Sequence, residues 1–450
     1  MNAVQTTDPR TLADPPAPTG TTDEATTLLE RHPLPEPTSW WRAAWASSVL
    51  MPYHRLAVVA LVANVAVAVA AIAGPGVGPE LALGSAVVNL TVAALLRQQH
   101  VVNVLFRLAT AAPTSWPLSV RRALGKVYHF GGLHVGANLA ATAWFGAYCV
   151  LVLRAPGSVP PVQVAATIGI VAVALGILAF TPPRVRARHH DLFEVSHRFG
   201  GWLLLGLLWV HTVAGSVAGT TPLWAAVALG AVTLSVAWPW LRLRRVPVDV
   251  TKPSDHVLVL GFDHGVTPFA GSSTTVARRP LGQWHSFANI ASPGRSGFRL
   301  TVSRAGDWTG DLVDRPPQHL WVRGVPTAGV GNIDQLFSKV VWVATGSGIG
   351  PCLPHLLART APARLVWATR SPARTYGDAL VEEIRTAQPD AVVWDTRAHG
   401  KPDLAALAWA VARDCGAEAV ICISNKPTTW DVVSRLEARG MPAYGAIWDS

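Results

Sequence analysis

Six long apolar stretches, crowded between residues 56 and 241, constrain this chain more than any other feature. They run over 56–74, 80–97, 130–153, 162–181, 199–218 and 222–241. The hydrocarbon core of a bilayer takes about 20 apolar residues of helix, and each run meets or nearly meets that length. Six in succession predict an all-α membrane domain of six helices. The connections at 74–79 (GPGVGP), 155–161 (APGSVPP) and 218–222 (AGTTP) carry almost no Lys or Arg. By contrast, the 97–126 segment holds Arg97, Arg107, Arg121, Arg122 and Lys126, and Arg184, Arg186, Arg188 and Arg198 precede or open the fifth run. Positive residues mark the cytosolic side, so the alternation predicts a multi-pass protein of the cell membrane with both termini in the cytosol. Trp40, Trp41, Trp45, Trp238 and Trp240 suit an interfacial belt.

The 450 residues leave room for further domains. Half of them are hydrophobic and only 14% charged, a bias carried by the apolar block, since the last two hundred read like a soluble protein. The net charge of +10 gathers at the flanks of the apolar runs, in Arg242, Arg244 and Arg245 for example. No long basic tract is interleaved with aromatics, so nucleic acid is not an expected partner and the lipid bilayer is. Four cysteines form neither a CxxC pair nor a zinc spacing and suit a reducing cytosol. Residues 1–45, rich in Thr, Pro, Asp and Glu, lack the apolar core of a signal peptide and read as a disordered cytosolic tail.

Histidines within membrane helices are functional candidates because they are costly there without a partner. In the fifth run His197 and His211 stand fourteen residues apart, within about 40° of one helix face and about 21 Å along it. Each could ligate a haem, one near each leaflet. The third run opens on YHFGGLHVG, placing His129 before FGG as His197 precedes an FGG of its own across Arg198. A bis-imidazole site of His129 and His197 is the inner candidate. A partner for His211 would fall near Ala143 and Trp144, neither a nitrogen ligand, so one haem b site is better supported than two. Helix-end histidines also simply meet headgroups or water, a plain role open to His129 and His134 and favoured for His189 and His190. Asn64, Asn89 and Asn138 are the loose hints of a transporter, and such residues more often make packing contacts.

After Arg245 the periodicity changes. Short alternating segments at 256–262, 274–279, 285–291, 298–304 and 319–323 predict a small antiparallel β-barrel. From Lys339, strands KVVWVAT, RLVWAT, AVVWDT, EAVICIS and AYGAIW alternate with helices near 351–359, 375–388, 402–414 and 427–438. That pattern is an α/β domain with a doubly wound parallel sheet, which binds ligands beyond the carboxyl ends of its strands. The boundaries are 46–245 for the membrane domain, 246–336 for the barrel and 337–450 for the α/β domain. The first strand runs into Gly346, Ser347, Gly348, Ile349, Gly350 and Pro351 before a helix, an arrangement that admits a pyrophosphate to backbone N–H groups. Arg370 and Arg374 follow the second strand, where guanidinium groups would favour the 2′-phosphate of NADPH over NADH; plain solvated arginines fit as well.

These residues together resemble the ferric reductase and NADPH oxidase superfamily over about residues 55–450, and within it the divergent TmpA-like integral membrane branch. The resemblance implies a ferredoxin–NADP reductase-like soluble half that binds FAD and a nicotinamide nucleotide. His285, Ser286, Phe287 and Ala288 are similar to its His-Pro-Phe-Thr flavin motif, with Phe287 on the isoalloxazine and His285 toward the phosphate side. Gly306, Asp307, Trp308 and Thr309 open a turn and short helix similar to the one that holds FAD phosphates. Ser424 and Asn425, within ISNKP, occupy the place of the late Cys-Gly-Pro motif beside the nicotinamide. The chain departs from the family at Ala288, at Ser424 and Asn425, and near Arg323 and Gly324, where Gly-Pro-Tyr-Gly is missing. The resemblance implies an oxidoreductase moving hydride from NAD(P)H to FAD and electrons onward to a membrane haem or another acceptor. The departures keep a second expectation open: a relative acting as a nucleotide or redox sensor, or as a membrane anchor for a partner enzyme.

Overall fold

The structure, a computed structural model, describes residues 20–155, 157–292 and 296–446. Its first elements depart from the sequence reading. Residues 20–45 are not a disordered tail, since α1 (Gly20–Arg31) and α2 (Trp40–Trp45) are helical; residues 1–19 lie outside the described residues. Helix α1 buries Ala25 and Leu28 against the C-terminal domain, and Glu24 pairs with Arg364. Two small apolar side chains in a Thr- and Glu-rich stretch are too faint a periodicity to read.

Each apolar run is a helix. They are α3 (Pro52–Ala73) and α4 (Pro79–Leu95), then α5 (Gln99–Thr110) and α6 (Leu118–Leu124) in the basic connection. A 3-10 turn at Gly125–Phe130 leads into α7 (Gly131–Arg154), followed by α8 (Pro161–Ala179), the short α9 (Pro183–Arg188), α10 (His190–Val217) and α11 (Leu223–Leu241). Among the described residues five helical segments are long and apolar enough to cross a membrane, and six if α4 and α5, bent by 74°, make one span. Their outward faces expose Val62, Leu175, Leu203, Val227 and Leu234, more contiguous apolar surface than water favours. Helix α7 lies against α3 and α4, α11 against α4, and α10 against α8 and α11. Small residues allow the closest approach. A Cβ at Gly136 would lie 2.5 Å from the Ala57 carbonyl oxygen, and one at Gly132 would meet the Tyr53 carbonyl, the small-xxx-small packing of membrane helices. Asn64 and Asn89 bond each other reciprocally at 3.0 and 2.7 Å, and the Trp144 indole donates to Asn64 at 2.9 Å. These asparagines join α3, α4 and α7 and serve packing.

The soluble half begins with β1 (Arg244–Pro247), β2 (Asp249–Thr251), β3 (Val257–Phe262), β4 (Ser272–Ala277), β5 (His285–Ala288), β6 (Ile290–Ala291) and β7 (Phe298–Ser303). Helix α12 (Asp307–Asp314) and β8 (His319–Ala328) complete it. Two antiparallel sheets, ordered β1-β8-β4-β5 and β2-β3-β7-β6, enclose one core of Leu258, Leu260, Val276, Leu300, Leu312 and Leu320. The α/β domain follows with β9 (Val340–Thr345), α13 (Ile349–Ala358), β10 (Ala363–Thr369), α14 (Pro372–Tyr376), α15 (Asp378–Ala387) and β11 (Val392–Asp395). It ends with α16 (Thr396–His399), α17 (Leu404–Cys415), β12 (Ala419–Ile423), α18 (Lys426–Glu437) and β13 (Ala443–Gly445). Its five strands are parallel in the order β11-β10-β9-β12-β13. Sequential strands step outward from β9 in one direction and then restart at β12, so the order reverses between β9 and β12.

The halves are fastened by the connection that the sequence presented as a basic loop. Gln99 accepts from the Val325 N–H at 3.0 Å and donates to the Thr327 hydroxyl at 3.1 Å. Asn103 accepts from the Ala328 N–H at 2.8 Å and donates to the Pro326 carbonyl at 3.0 Å. On α6, Arg121 forks onto both oxygens of Glu418 at 2.7 and 3.0 Å. Nearby, Arg122 and Lys126 pair with Glu437. Burial would raise the Glu437 carboxyl, but these two cations hold it below the usual range.

Candidate functional site

The strand order reverses between β9 and β12, and doubly wound sheets bind ligands beyond the carboxyl ends of the strands at such a point. Strand β9 ends at Thr345, whose hydroxyl bonds that of Ser424 at the end of β12. Gly346 turns the chain with φ of +48°, in the left-handed region. A Cβ at Gly348 would come within 2.9 Å of the Ile423 carbonyl carbon and closer to its oxygen, so only glycine lets this turn lie on β12. Ser347 is exposed, while Ile349 and Gly350 are buried as α13 starts. The turn predicted from Gly346 to Pro351 therefore has the geometry expected of it.

Beneath the turn, Trp367 donates to the Gly346 carbonyl at 3.0 Å, and Tyr376 packs edge-on to Trp367 at 5.1 Å. Burial raises the Tyr376 phenol above its ordinary pKa, with hydrogen bonds to Ser303 and Thr369 opposing. Arg370 and Arg374 are exposed just beyond β10. Asp395, at the end of β11, accepts from the N–H groups of Ser371 (2.9 Å) and Arg397 (2.8 Å), fixing the backbone between those arginines. Asn425 also has a structural task. Its side chain accepts from the Thr428 N–H at 3.1 Å as the N-cap of α18. Ser424 likewise is engaged with Thr345.

Helix α13 packs directly on β5, β6 and β7, which brings the glycine turn beside the strand carrying His285 and Phe287. These two share one face of β5, and Trp308 from the first turn of α12 lies over both. Its ring is 4.1 Å from His285 and 6.2 Å from Phe287, nearly parallel to each. Ser286 and Ala288 alternate to the opposite face, where the Ser286 hydroxyl bonds Thr275 at 2.8 Å. Thr309 accepts from the N–H groups of Ala305 and Gly306 at 2.9 and 3.0 Å. Those two donors are satisfied within the turn, leaving Asp307 and Trp308 to present the helix end. His285, Phe287 and Trp308 thus form one aromatic face, to which Trp308 brings the start of α12.

His129 lies in the 3-10 turn before α7, buried against Tyr128 at 4.1 Å and near Lys126 and Arg55. His134 stands on α7 proper and His197 on α10. The His134 Nδ1–H donates to the Ala93 carbonyl at 2.8 Å, and its Nε2 faces the Asn138 amide at 3.2 Å. One turn along α10 from His197, a Cβ at Gly201 would meet nothing within 4 Å. His211 is enclosed by Phe145 and Tyr148 edges at 6.1 and 5.6 Å. Its Nε2 faces the Gln163 amide, itself bonded to Tyr148, Thr220 and Thr221. That surround makes His211 part of a buried polar cluster. Among the described residues no group of three or more His, Cys, Asp or Glu could hold a metal ion.

A feature with no sequence signal joins the two regions. Phe199 and Trp202 of α10, Trp240 of α11 and Trp284 before β5 contact in series at 5.3, 5.2 and 6.0 Å. The Arg323 guanidinium lies over both Trp240 and Trp284, at 5.1 and 4.7 Å.

Comparison with known proteins shows likeness to fungal reductases. Residues 330–450 match the family described as adenylate-forming reductase 03009, C-terminal domain. Adenylate-forming reductase 06235 of Coprinopsis cinerea is 40% identical over 414 residues, covering 88% of this chain and 40% of the relative. Adenylate-forming reductase 03009 of the same fungus is 44% identical over 383 residues, covering 82% and 37%. The chain thus spans about two fifths of the length of these relatives. Among solved structures, a ferredoxin NADP+ reductase from Neisseria gonorrhoeae with bound FAD and NADP aligns at a TM-score of 0.37 and 11% identity, covering 46% of this chain and 98% of that one.

Proposed function

We propose that this chain is a multi-pass membrane flavoprotein, a divergent member of the ferric reductase and NADPH oxidase superfamily, with both termini in the cytosol. It takes hydride from NADPH or NADH onto FAD and passes electrons to an acceptor held by the helical domain. One observation carries the reading: α13, which follows the Gly346–Gly350 turn, is seated on β5, so a nucleotide crevice and the His285–Phe287–Trp308 aromatic face adjoin. The names of the curated relatives point to reductive chemistry as well.

The residues fit both cofactors. When bound, the flavin and nicotinamide supply hydride transfer and the division of an electron pair into single electrons. The chain's own part is binding and alignment. The Gly346–Gly350 turn and the start of α13 offer N–H groups to a pyrophosphate. Arg370 and Arg374 stand where a 2′-phosphate would lie. Phe287 and Trp308 supply a flat apolar face, and the Thr345–Ser424 bond fixes the floor of the crevice. In the helical half, His197 together with His129 or His134 would hold one haem b, with the Ala93 carbonyl orienting the His134 ring.

An ultraviolet–visible spectrum of the detergent-purified full chain, before and after NADPH and then dithionite, tests this. Flavin bands that bleach with NADPH are expected, together with a Soret band lost in His197→Ala and in one of His129→Ala and His134→Ala. No flavin, and no oxidation of NADPH with any artificial acceptor, would overturn the reading. A second reading has its own support. The curated relatives are much longer and named as adenylate-forming, and Ser424 and Asn425 are engaged in structure. On that reading the chain is the anchor or electron-delivery module of a partner enzyme that forms acyl adenylates. Rapid turnover by the isolated chain would reject the pure anchor.

A further inference from the structure

We infer that the junction between α11 and the barrel is a binding site for a phosphate group, borne by a lipid headgroup or by a soluble phosphate. It does not depend on the flavin reading, and its test reads binding rather than turnover. A cavity of about 90 Å³ opens there among Arg242, Arg244, His264, Thr274, Phe298 and Arg323. That admits several water molecules, enough for one tetrahedral phosphate head.

The charge in the cavity is of one sign. Three guanidinium groups and an imidazole line it, and no carboxylate does. None of the three arginines forms an ion pair among the described residues. Arg242 stacks on Trp238 at 5.7 Å, and Arg323 is held between Trp240 and Trp284. Burial, with Arg198 adding to it, brings the Arg323 guanidinium down to about 10, well inside the charged range at neutral pH. His264 leaves its Nδ1 buried without a hydrogen-bond partner, between Phe262 and Phe298. Like charges converging on a part-buried cavity are unfavourable alone and are offset by an anion that takes charge-assisted hydrogen bonds. Position narrows the source. Arg242 is the C-cap of α11 and follows Trp238 and Trp240, so with α11 spanning a bilayer the cavity lies at headgroup depth on the cytosolic face. Basic pockets at that depth bind anionic headgroups.

The experiment uses the delipidated full chain in detergent, titrated separately with short-chain phosphatidylglycerol, short-chain phosphatidylcholine and inorganic phosphate. Tryptophan fluorescence and the thermal midpoint are read, since Trp240 and Trp284 flank Arg323. Saturable binding of phosphatidylglycerol or phosphate is expected, weakened about thirtyfold in the Arg242→Gln/Arg244→Gln double variant, from about 1 kcal/mol per arginine. Saturation by phosphatidylglycerol alone assigns the site to the headgroup, and saturation by phosphate too assigns it to any phosphate. Both arginines are exposed, so the unliganded variant should melt with the parent. Should it not fold, Arg242→Lys/Arg244→Lys should retain binding while His264→Ala weakens it. No saturable response, or a glutamine variant that titrates like the parent, overturns the inference.

Discussion

Replacing Glu418 by Gln tests how firmly the helical half is fastened to the α/β domain. The Arg121 guanidinium donates to both carboxylate oxygens and the Ser338 N–H adds a third bond, together holding Glu418 at about 2 against an ordinary 4.5. The difference of about 2.5 pH units, at roughly 1.4 kcal/mol each, is roughly 3 kcal/mol at neutral pH. With 27% of the Glu418 side chain exposed and 5% of that of Arg121, solvent screening trims this figure without removing it. The folded-state pKa is the lower one, so the contribution is complete above about pH 4.5 and is lost as pH falls toward 2. Thermal unfolding of the full chain in detergent, at one scan rate, reads it. For a cooperative unit of roughly 150–250 residues, each kcal/mol is worth about 2–4 °C, so Glu418→Gln should melt about 6–12 °C below the parent at pH 7. At pH 3 the gap should shrink to less than half. Equal midpoints at pH 7, or a gap that acid leaves unchanged, would refute the reasoning.

Three further outcomes are expected. Gly348→Ala drives a Cβ against the Ile423 carbonyl, which backbone cannot easily yield; it should lower stability by about 1–3 kcal/mol and weaken NADPH binding in calorimetric titration. Gly136→Leu should separate α3 from α7 and broaden the size-exclusion profile in detergent, whereas Gly146→Leu, where a Cβ meets nothing within 4 Å, should not. Arg370→Ala combined with Arg374→Ala should raise the Kd for NADPH by about tenfold, from the loss of roughly 1.4 kcal/mol of phosphate contact, and leave that for NADH nearly unchanged. Equal losses for both nucleotides would place the 2′-phosphate elsewhere.

Elements carried by long periodic signals were legible in the sequence. The six apolar runs, the barrel strands and the β–α alternation after Lys339 all reappear, because burial of a whole face fixes their period. The glycine turn was legible too, since a strand, glycines and a helix in that order admit few geometries. What escaped depends on a single residue's phase or on distant partners. His129 lies in a 3-10 turn that composition does not announce. Asn425 looks catalytic in a motif and caps a helix in space. Trp240, Trp284 and Arg323 are separated by up to 83 residues in sequence and stack only once the barrel is docked. The 97–126 segment hid its helices because their apolar side faces protein, with Val102 and Phe106 buried in the core beneath β9.

The bent pair α4 and α5 is, mechanically, a crank. Its upright arm has 17 residues, about 25 Å of rise, shorter than a hydrocarbon core of about 30 Å. Its horizontal arm is pinned to β8 by four hydrogen bonds from Gln99 and Asn103. A short arm answers a thicker bilayer by straightening or by drawing the lipid in, and the pinned arm cannot swing without carrying β8 along. Were α4 to span a bilayer, the thickness of that bilayer would act mechanically on the sheet that also holds β4 and β5.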